Sequence, residues 1–166
     1  LTLNRATDTT RQPGSTFKIL AAYSAALDAG GLTLASVQDD APYTYAGANG
    51  KSVNNYDRRY RGFTTLREAI TCSINIVTVK TLAQAGVSLG WQYVQEYGFT
   101  TVDSRDMNEA LALGGITQGV SNLELTAAYA AIANQGTYIR PKFYTKILDH
   151  DGNVLIDNTT PESHTD

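Results

Sequence analysis

Arg11-Gln12-Pro13-Gly14-Ser15-Thr16-Phe17-Lys18 sets a hydroxyl and an amine three residues apart, just past a Pro-Gly break. The break predicts a helix that starts at Ser15 or Thr16. Ile19, Leu20, Tyr23, Ala26 and Leu27 recur at helical spacing as far as Asp28, and Gly30-Gly31 supplies a left-handed stop. Residues three apart share a helix face, so Lys18 can reach back toward Ser15. A serine hydroxyl is a poor nucleophile at neutral pH and needs an adjacent base. Lys18 can be that base only when neutral, which requires burial or a nearby cation to lower its pKa from about 10.4. The positive end of the helix dipole favours an alkoxide at Ser15. The plainer reading is a helix that opens on a serine and carries a solvated lysine. Ser-x-x-Lys arises by chance in about half of chains this long, so the pair needs company.

Ser73-Ile74-Asn75 provides it. A hydroxyl at 73 can relay a proton between Lys18 and a leaving group, and an amide at 75 can bind both a substrate carbonyl and the lysine. Ser52-Val53-Asn54 has the same form but lies in a Gly/Asn-rich loop, whereas Ser73 sits where one apolar-patterned helix ends and another begins. Position selects Ser73 and Asn75; the competing reading is an ordinary helix cap.

Outward from these motifs, Leu32 to Gly62 reads as a long loop with brief strands, the kind of segment that carries function in a compact domain. Thr65-Leu66-Arg67-Glu68 and Ser121-Asn122-Leu123-Glu124 fit capping boxes that open helices, the second running Ala-rich through Ala133. Helices are expected over Asn75 to Ala85 and Ser88 to Tyr97, stopped by Gly86 and Gly98. Phe143 to Leu148 and Val154 to Ile156 alternate around Asp151-Gly152, a hairpin signal. Residues 157–166 are polar and expected to fray.

The bulk numbers suit a globular chain: 166 residues, 42% hydrophobic and 17% charged. A net charge of −3 and a pI near 5.3 argue against a nucleic-acid surface, and no apolar run is long enough to span a membrane. Cys72 is the single cysteine, so an internal disulfide or a cysteine zinc site is excluded; a small buried hydrophobe is its expected role.

Together these stretches resemble the transpeptidase domain of class A penicillin-binding proteins. The resemblance runs in family order through Leu3-Asn4-Arg5-Ala6-Thr7 and Arg11 to Lys18; Asn55-Tyr56-Asp57-Arg58-Arg59-Tyr60-Arg61-Gly62; Thr65 to Asn75; Ala112 to Ser121 with Leu125 to Ala131; and Gly136 to Ile139 through Asp151 to Leu155. It implies that Ser15 is the nucleophile, Lys18 the base, Ser73 the relay and Asn75 the substrate binder. The implied reaction is D,D-transpeptidation of peptidoglycan stem peptides through an acyl-enzyme that β-lactam antibiotics also form, with no cofactor and no metal. The implied setting is the outer face of the bacterial plasma membrane, in a membrane-anchored parent with an upstream glycosyltransferase domain.

The chain starts within a matching stretch at Leu1, and the family's Lys-Thr-Gly strand is absent, because Lys80-Thr81 is followed by Leu82. Residues 1–166 are therefore expected to form a partial domain. Its expected fold is mainly α with a small C-terminal β-hairpin: the helical portion of the α/β penicillin-binding/β-lactamase-like transpeptidase fold, with most of the central sheet missing. Such a chain should be weakly active or inactive alone and should self-associate through exposed apolar faces. A D-alanyl-D-alanine carboxypeptidase, a β-lactamase-like serine hydrolase and a non-catalytic binding or scaffold module are the alternatives.

The remaining conspicuous residues take plainer readings. Asp57, Arg58, Arg59 and Arg61, flanked by Tyr56 and Tyr60, read as a loop held by ion pairs, or else as a lip of the cleft. Gly114-Gly115 fits a tight turn or close packing, and Trp91 a core position. Glu68 and Glu124 fit capping partners, neither Glu96 nor Glu109 lies in a β-lactamase-like deacylation loop, and His150 and His164 read as solvated.

Overall fold

Residues 2–47 and 50–165 are described here from a computed structural model. The Pro13-Gly14 break does open a helical segment, in three registers. Gly14–Phe17 is a 3-10 turn, Ile19–Tyr23 is π-helical, and only Ser24–Asp28 (α1) is α-helical. Lys18 is the joint: its N–H bonds back three residues to the Ser15 carbonyl, while the Ser24 N–H bonds back five to Ile19. A π segment beside a chemically loaded residue is a common functional device.

The expected helices follow. Leu66–Thr71 (α2) is capped by the Thr65 hydroxyl, which accepts from the Glu68 N–H at 3.2 Å. Asn75–Ala85 (α3), Val87–Glu96 (α4) and Asn122–Ala133 (α5) come next, α5 capped by the Ser121 hydroxyl. The Glu124 carboxylate does not reach back to close a box; it takes the Thr100 hydroxyl and N–H. Among the described residues, no helix is long and apolar enough to cross a membrane.

The β content exceeds the expected C-terminal hairpin and the brief strands expected within Leu32 to Gly62. Thr10–Arg11 (β1), Val37–Asp40 (β2), Tyr43–Thr44 (β3), Ser52–Val53 (β4), Gly62–Thr65 (β5) and Val120–Ser121 (β6) precede Thr137–Ile139 (β7), Lys146–Leu148 (β8), Val154–Asp157 (β9) and Ser163–Thr165 (β10). They pair antiparallel two by two, as β1–β6, β2–β5, β3–β4, β7–β10 and β8–β9. β8–β9 is the expected hairpin. Most of the others join segments far apart in sequence, which a period-2 pattern only two to four residues long cannot announce. The end of the expected frayed tail is thus tied down: Ser163–Thr165 pairs with Thr137–Ile139, and the His164 ring stacks on Tyr138 and contacts the Glu96 carbonyl. His150 is exposed, beside Asp151.

Hydrophobic burial organises the rest. Phe17, Leu20, Ala21 and Ala22 from the first helical segment meet Ile76, Val79 and Leu82 of α3, Val94 of α4 and Leu111-Ala112 in one core, with Phe17 edge-on to Phe99 at 5.1 Å. Trp91 packs against that core, its indole N–H donating to the Asp103 carbonyl. At Gly90 a Cβ would lie 2.4 Å from the Ala21 carbonyl oxygen, so glycine is what lets α4 seat directly on the helix that carries Lys18. Cys72 is exposed, correcting its expected burial; it is the C-cap of α2, where the helix has turned outward.

Candidate active site

Lys18 is almost wholly buried, and its amine has three acceptors: the Ser73 carbonyl at 2.7 Å, the Ser73 hydroxyl at 2.9 Å and the Asn75 Oδ1 at 2.6 Å. Burial pushes the amine down to about 8. A lysine whose ammonium loses its proton closer to neutrality offers a neutral amine, the form that can act as a base, more readily than a solvated lysine does. The plainer reading of Lys18 therefore fails on its surroundings.

Ser73 owes its place to the way α2 ends. The Ser73 N–H bonds to the Ile70 carbonyl at 3.2 Å and the Ile74 N–H to the Ala69 carbonyl at 2.9 Å. This is the Schellman pattern, in which the residue after the cap is left-handed and usually glycine. Here that residue is Ser73, at φ 53°. A non-glycine in this region costs about 1–2 kcal/mol. The strained turn brings both its carbonyl and its hydroxyl to one amine, and α3 starts immediately afterwards to deliver Asn75. Ser52, on β4, is not among the partners of the Lys18 amine.

Ser15 lies on the exposed face of the 3-10 turn, three residues before Lys18, and is not among the partners of the lysine amine. Its turn is braced from the far side by the 112–116 segment. The Gln12 side-chain amide pairs with Ile116, donating to its carbonyl and accepting from its N–H at 2.9 Å. Gly114, at φ 76°, packs on the Gly14 backbone, where a Cβ would lie 2.7 Å from the Gly14 oxygen. Gly114 thus acts in close packing, as its sequence reading expects. The Tyr129 hydroxyl donates to the Thr16 carbonyl. A cleft of about 630 Å³ adjoins the turn, lined by Arg5, Arg11, Gln12, Pro13, Thr16 and Leu125 among others.

Several contributors escaped the sequence reading. Asn75 Nδ2 donates to the Asn54 carbonyl at 2.7 Å, and Asn55 and the fully buried Asp40 stand behind that contact. Asn55 falls in a stretch quoted above but carried no role, and nothing near Asp40 marks it for burial. The charged cluster follows its plainer reading in part: Arg61 pairs with Asp57 at 2.7 Å and reaches Asp40 at 3.7 Å, while Tyr56 projects 98% exposed. Glu109 is buried and engaged, accepting from the Tyr43 hydroxyl at 2.9 Å and the Ala46 N–H at 3.0 Å. Among the described residues, no group of three or more His, Cys, Asp or Glu is placed to hold a metal ion.

Comparison with known proteins agrees with this architecture. The sequence profile of the penicillin binding protein transpeptidase domain matches residues 2–165. Penicillin-binding protein 1F of Bacillus subtilis is 41% identical over 148 residues, covering 89% of this chain and 20% of that protein. Penicillin-binding protein 1A of Neisseria flavescens is 40% identical over 158 residues, covering 92% of this chain and 19% of that one. The chain therefore spans about a fifth of the length of these relatives. The crystal structure of penicillin-binding protein 1A from Haemophilus influenzae superposes with a TM-score of 0.83 at 33% identity, over 98% of this chain and 24% of that chain. PonA1 of Mycobacterium tuberculosis, solved in complex with penicillin V, shares the fold with a TM-score of 0.80 at 23% identity, over 97% of this chain and 44% of that one.

Proposed function

The chain belongs to the penicillin-binding protein transpeptidase domain family, and from that premise we propose that it is the nucleophile-bearing part of a peptidoglycan D,D-transpeptidase. The observation that supports this most is the buried Lys18 amine, gripped by Ser73 and Asn75 one helical turn from the exposed Ser15. In the proposed reaction neutral Lys18 takes the Ser15 proton as the oxygen attacks the penultimate D-alanine carbonyl of a stem peptide. The peptide bond breaks and terminal D-alanine leaves, its nitrogen collecting a proton through the Ser73 hydroxyl. An amine from a neighbouring stem then attacks the acyl-enzyme, completes the cross-link and frees Ser15. Asn75 Nδ2 gives one hydrogen to the Asn54 carbonyl, and its second is assigned to the substrate carbonyl. β-Lactams acylate the same oxygen.

Transfer rather than hydrolysis is favoured by one observation. Of the four glutamates weighed as a deacylating base, none lies in a β-lactamase-like loop, and Glu109 and Glu124 have their carboxylates engaged by Tyr43 and Ala46 and by Thr100. The whole protein is proposed to be a class A enzyme, anchored at the outer face of the plasma membrane beside a glycosyltransferase domain. These 166 residues contain no Lys-Thr-Gly, a strand that supplies an oxyanion donor in the family, and loss of one such donor costs about 100- to 1000-fold. The chain by itself is accordingly proposed to react weakly with penicillin. It is also proposed to self-associate through exposed apolar residues such as Phe143, Leu148, Val154 and Leu155.

Fluorescent penicillin tests the reading. The protein that carries this chain should label covalently, and Ser15→Ala should abolish the label while the fold persists. Labelling that survives Ser15→Ala would remove Ser15 as the nucleophile, and a parent that never labels would remove the enzyme reading and leave the scaffold alternative.

A further inference from the structure

We propose that Asp40 and Asn55 are positioning residues that fix which way the Asn75 amide faces. The inference rests on the function proposed above and extends the site to Asp40 and Asn55, to which that mechanism assigns no part.

An asparagine amide can be turned end for end with little change of shape, exchanging an acceptor for a donor. Asn75 is useful to Lys18 only with its oxygen toward the amine, as it stands at 2.6 Å. What sets that orientation is the other end of the amide, which donates to the Asn54 carbonyl at 2.7 Å. The Asn54 carbonyl lies in the rigid peptide plane it shares with the Asn55 nitrogen, so its aim depends on how Asn55 is held.

Asn55 is buried and held at both ends of its side chain. Its Oδ1 accepts from the N–H of Ile76, the residue after Asn75, at 3.1 Å. Its Nδ2 donates to Asp40 Oδ1 at 2.7 Å and to the Arg59 carbonyl at 2.8 Å. Asp40 closes β2 opposite Gly62 of β5, is fully buried, and accepts from the Arg61 N–H at 3.0 Å with its second oxygen. A carboxylate is withdrawn from water only where hydrogen bonds and a countercharge meet it; here they come from Asn55 and Arg61, the two ends of the turn that follows Asn54. The bonds form one line: Asp40 orients Asn55, Asn55 sets the Asn54 carbonyl beside α3, and that carbonyl orients Asn75 toward Lys18.

A double-mutant cycle on the whole protein separates positioning from mere support of the fold. The quantity read is the rate constant for acylation by fluorescent penicillin, taken from time courses so that it does not depend on the fraction folded. Asp40→Asn should slow acylation by about tenfold or more, the scale of a misplaced reacting group. In the Asn75→Ala background the same change should cost less than about twofold, because its route to Lys18 is already gone. An Asp40→Asn constant equal to that of the unmutated protein, or an equal loss in both backgrounds, would overturn the proposal. Should Asp40→Asn yield no reactive protein, Asn55→Ser is read by the same cycle against the same two criteria. Failure of Ser15→Ala to abolish labelling would strike the proposed function itself; loss of labelling there combined with an additive cycle would strike only this inference.

Discussion

Two turns flank the site, and both enter left-handed backbone at the end of a helical segment: Ser73 after α2, at φ 53°, and Gly114 after the 3-10 turn Glu109–Leu113, at φ 76°. They solve the same local problem with opposite residues. At Gly114 the backbone of another segment occupies the space a side chain would need, the Gly14 oxygen lying 2.7 Å from where a Cβ would stand. At Ser73 the chain accepts the strain of a side chain because the hydroxyl meets Lys18. Glycine marks where backbone must touch backbone; a serine in glycine's usual position marks where a side-chain contact, here with the Lys18 amine, is kept despite backbone strain.

Substitutions at these turns can break or sharpen the contrast. The largest effect is expected from Ser73→Gly, which should slow penicillin acylation by about 100- to 10,000-fold while thermal melting shows stability unchanged or raised by about 0.5–1 kcal/mol as the strain is released. A variant that loses stability along with activity would make Ser73 an ordinary cap. Next, Gly114→Ala should destabilise by about 2–4 kcal/mol, combining left-handed strain with overpacking against Gly14, as measured by denaturant unfolding. Gly31→Ala is the smallest and serves as the control. Gly31 is also left-handed, at φ 72°, but nothing lies within 4 Å of its added methyl, so only the strain of about 1 kcal/mol should appear. Equal losses at 31 and 114 would dissolve the distinction between strain and contact.

The same contrast explains what could be read from the letters. Ser15 and Lys18 are three residues apart, so local spacing exposes them, as capping chemistry and Gly stops expose α2 to α5. Ser73 was separable from Ser52 only by its place between two helices. The switch from 3-10 to π register around Lys18 leaves no trace in a pattern of apolar spacing. Asp40 stayed hidden because its burial comes from pairing Val37–Asp40 with Gly62–Thr65, more than twenty residues on, through strands only four residues long. Cys72 misled because a small apolar residue is usually interior, and the end of α2 happens to face out.

The central claim is that Lys18 is a base made available by burial beside Ser15, and the pH dependence of acylation tests it most directly. A lysine that must be neutral to act is inactive while protonated, so the rate constant should climb as pH rises and level off above an inflection near 8, well under the ordinary lysine value of 10.5. A profile flat from pH 6 to 10, or one that keeps climbing toward 10.5, would contradict the account.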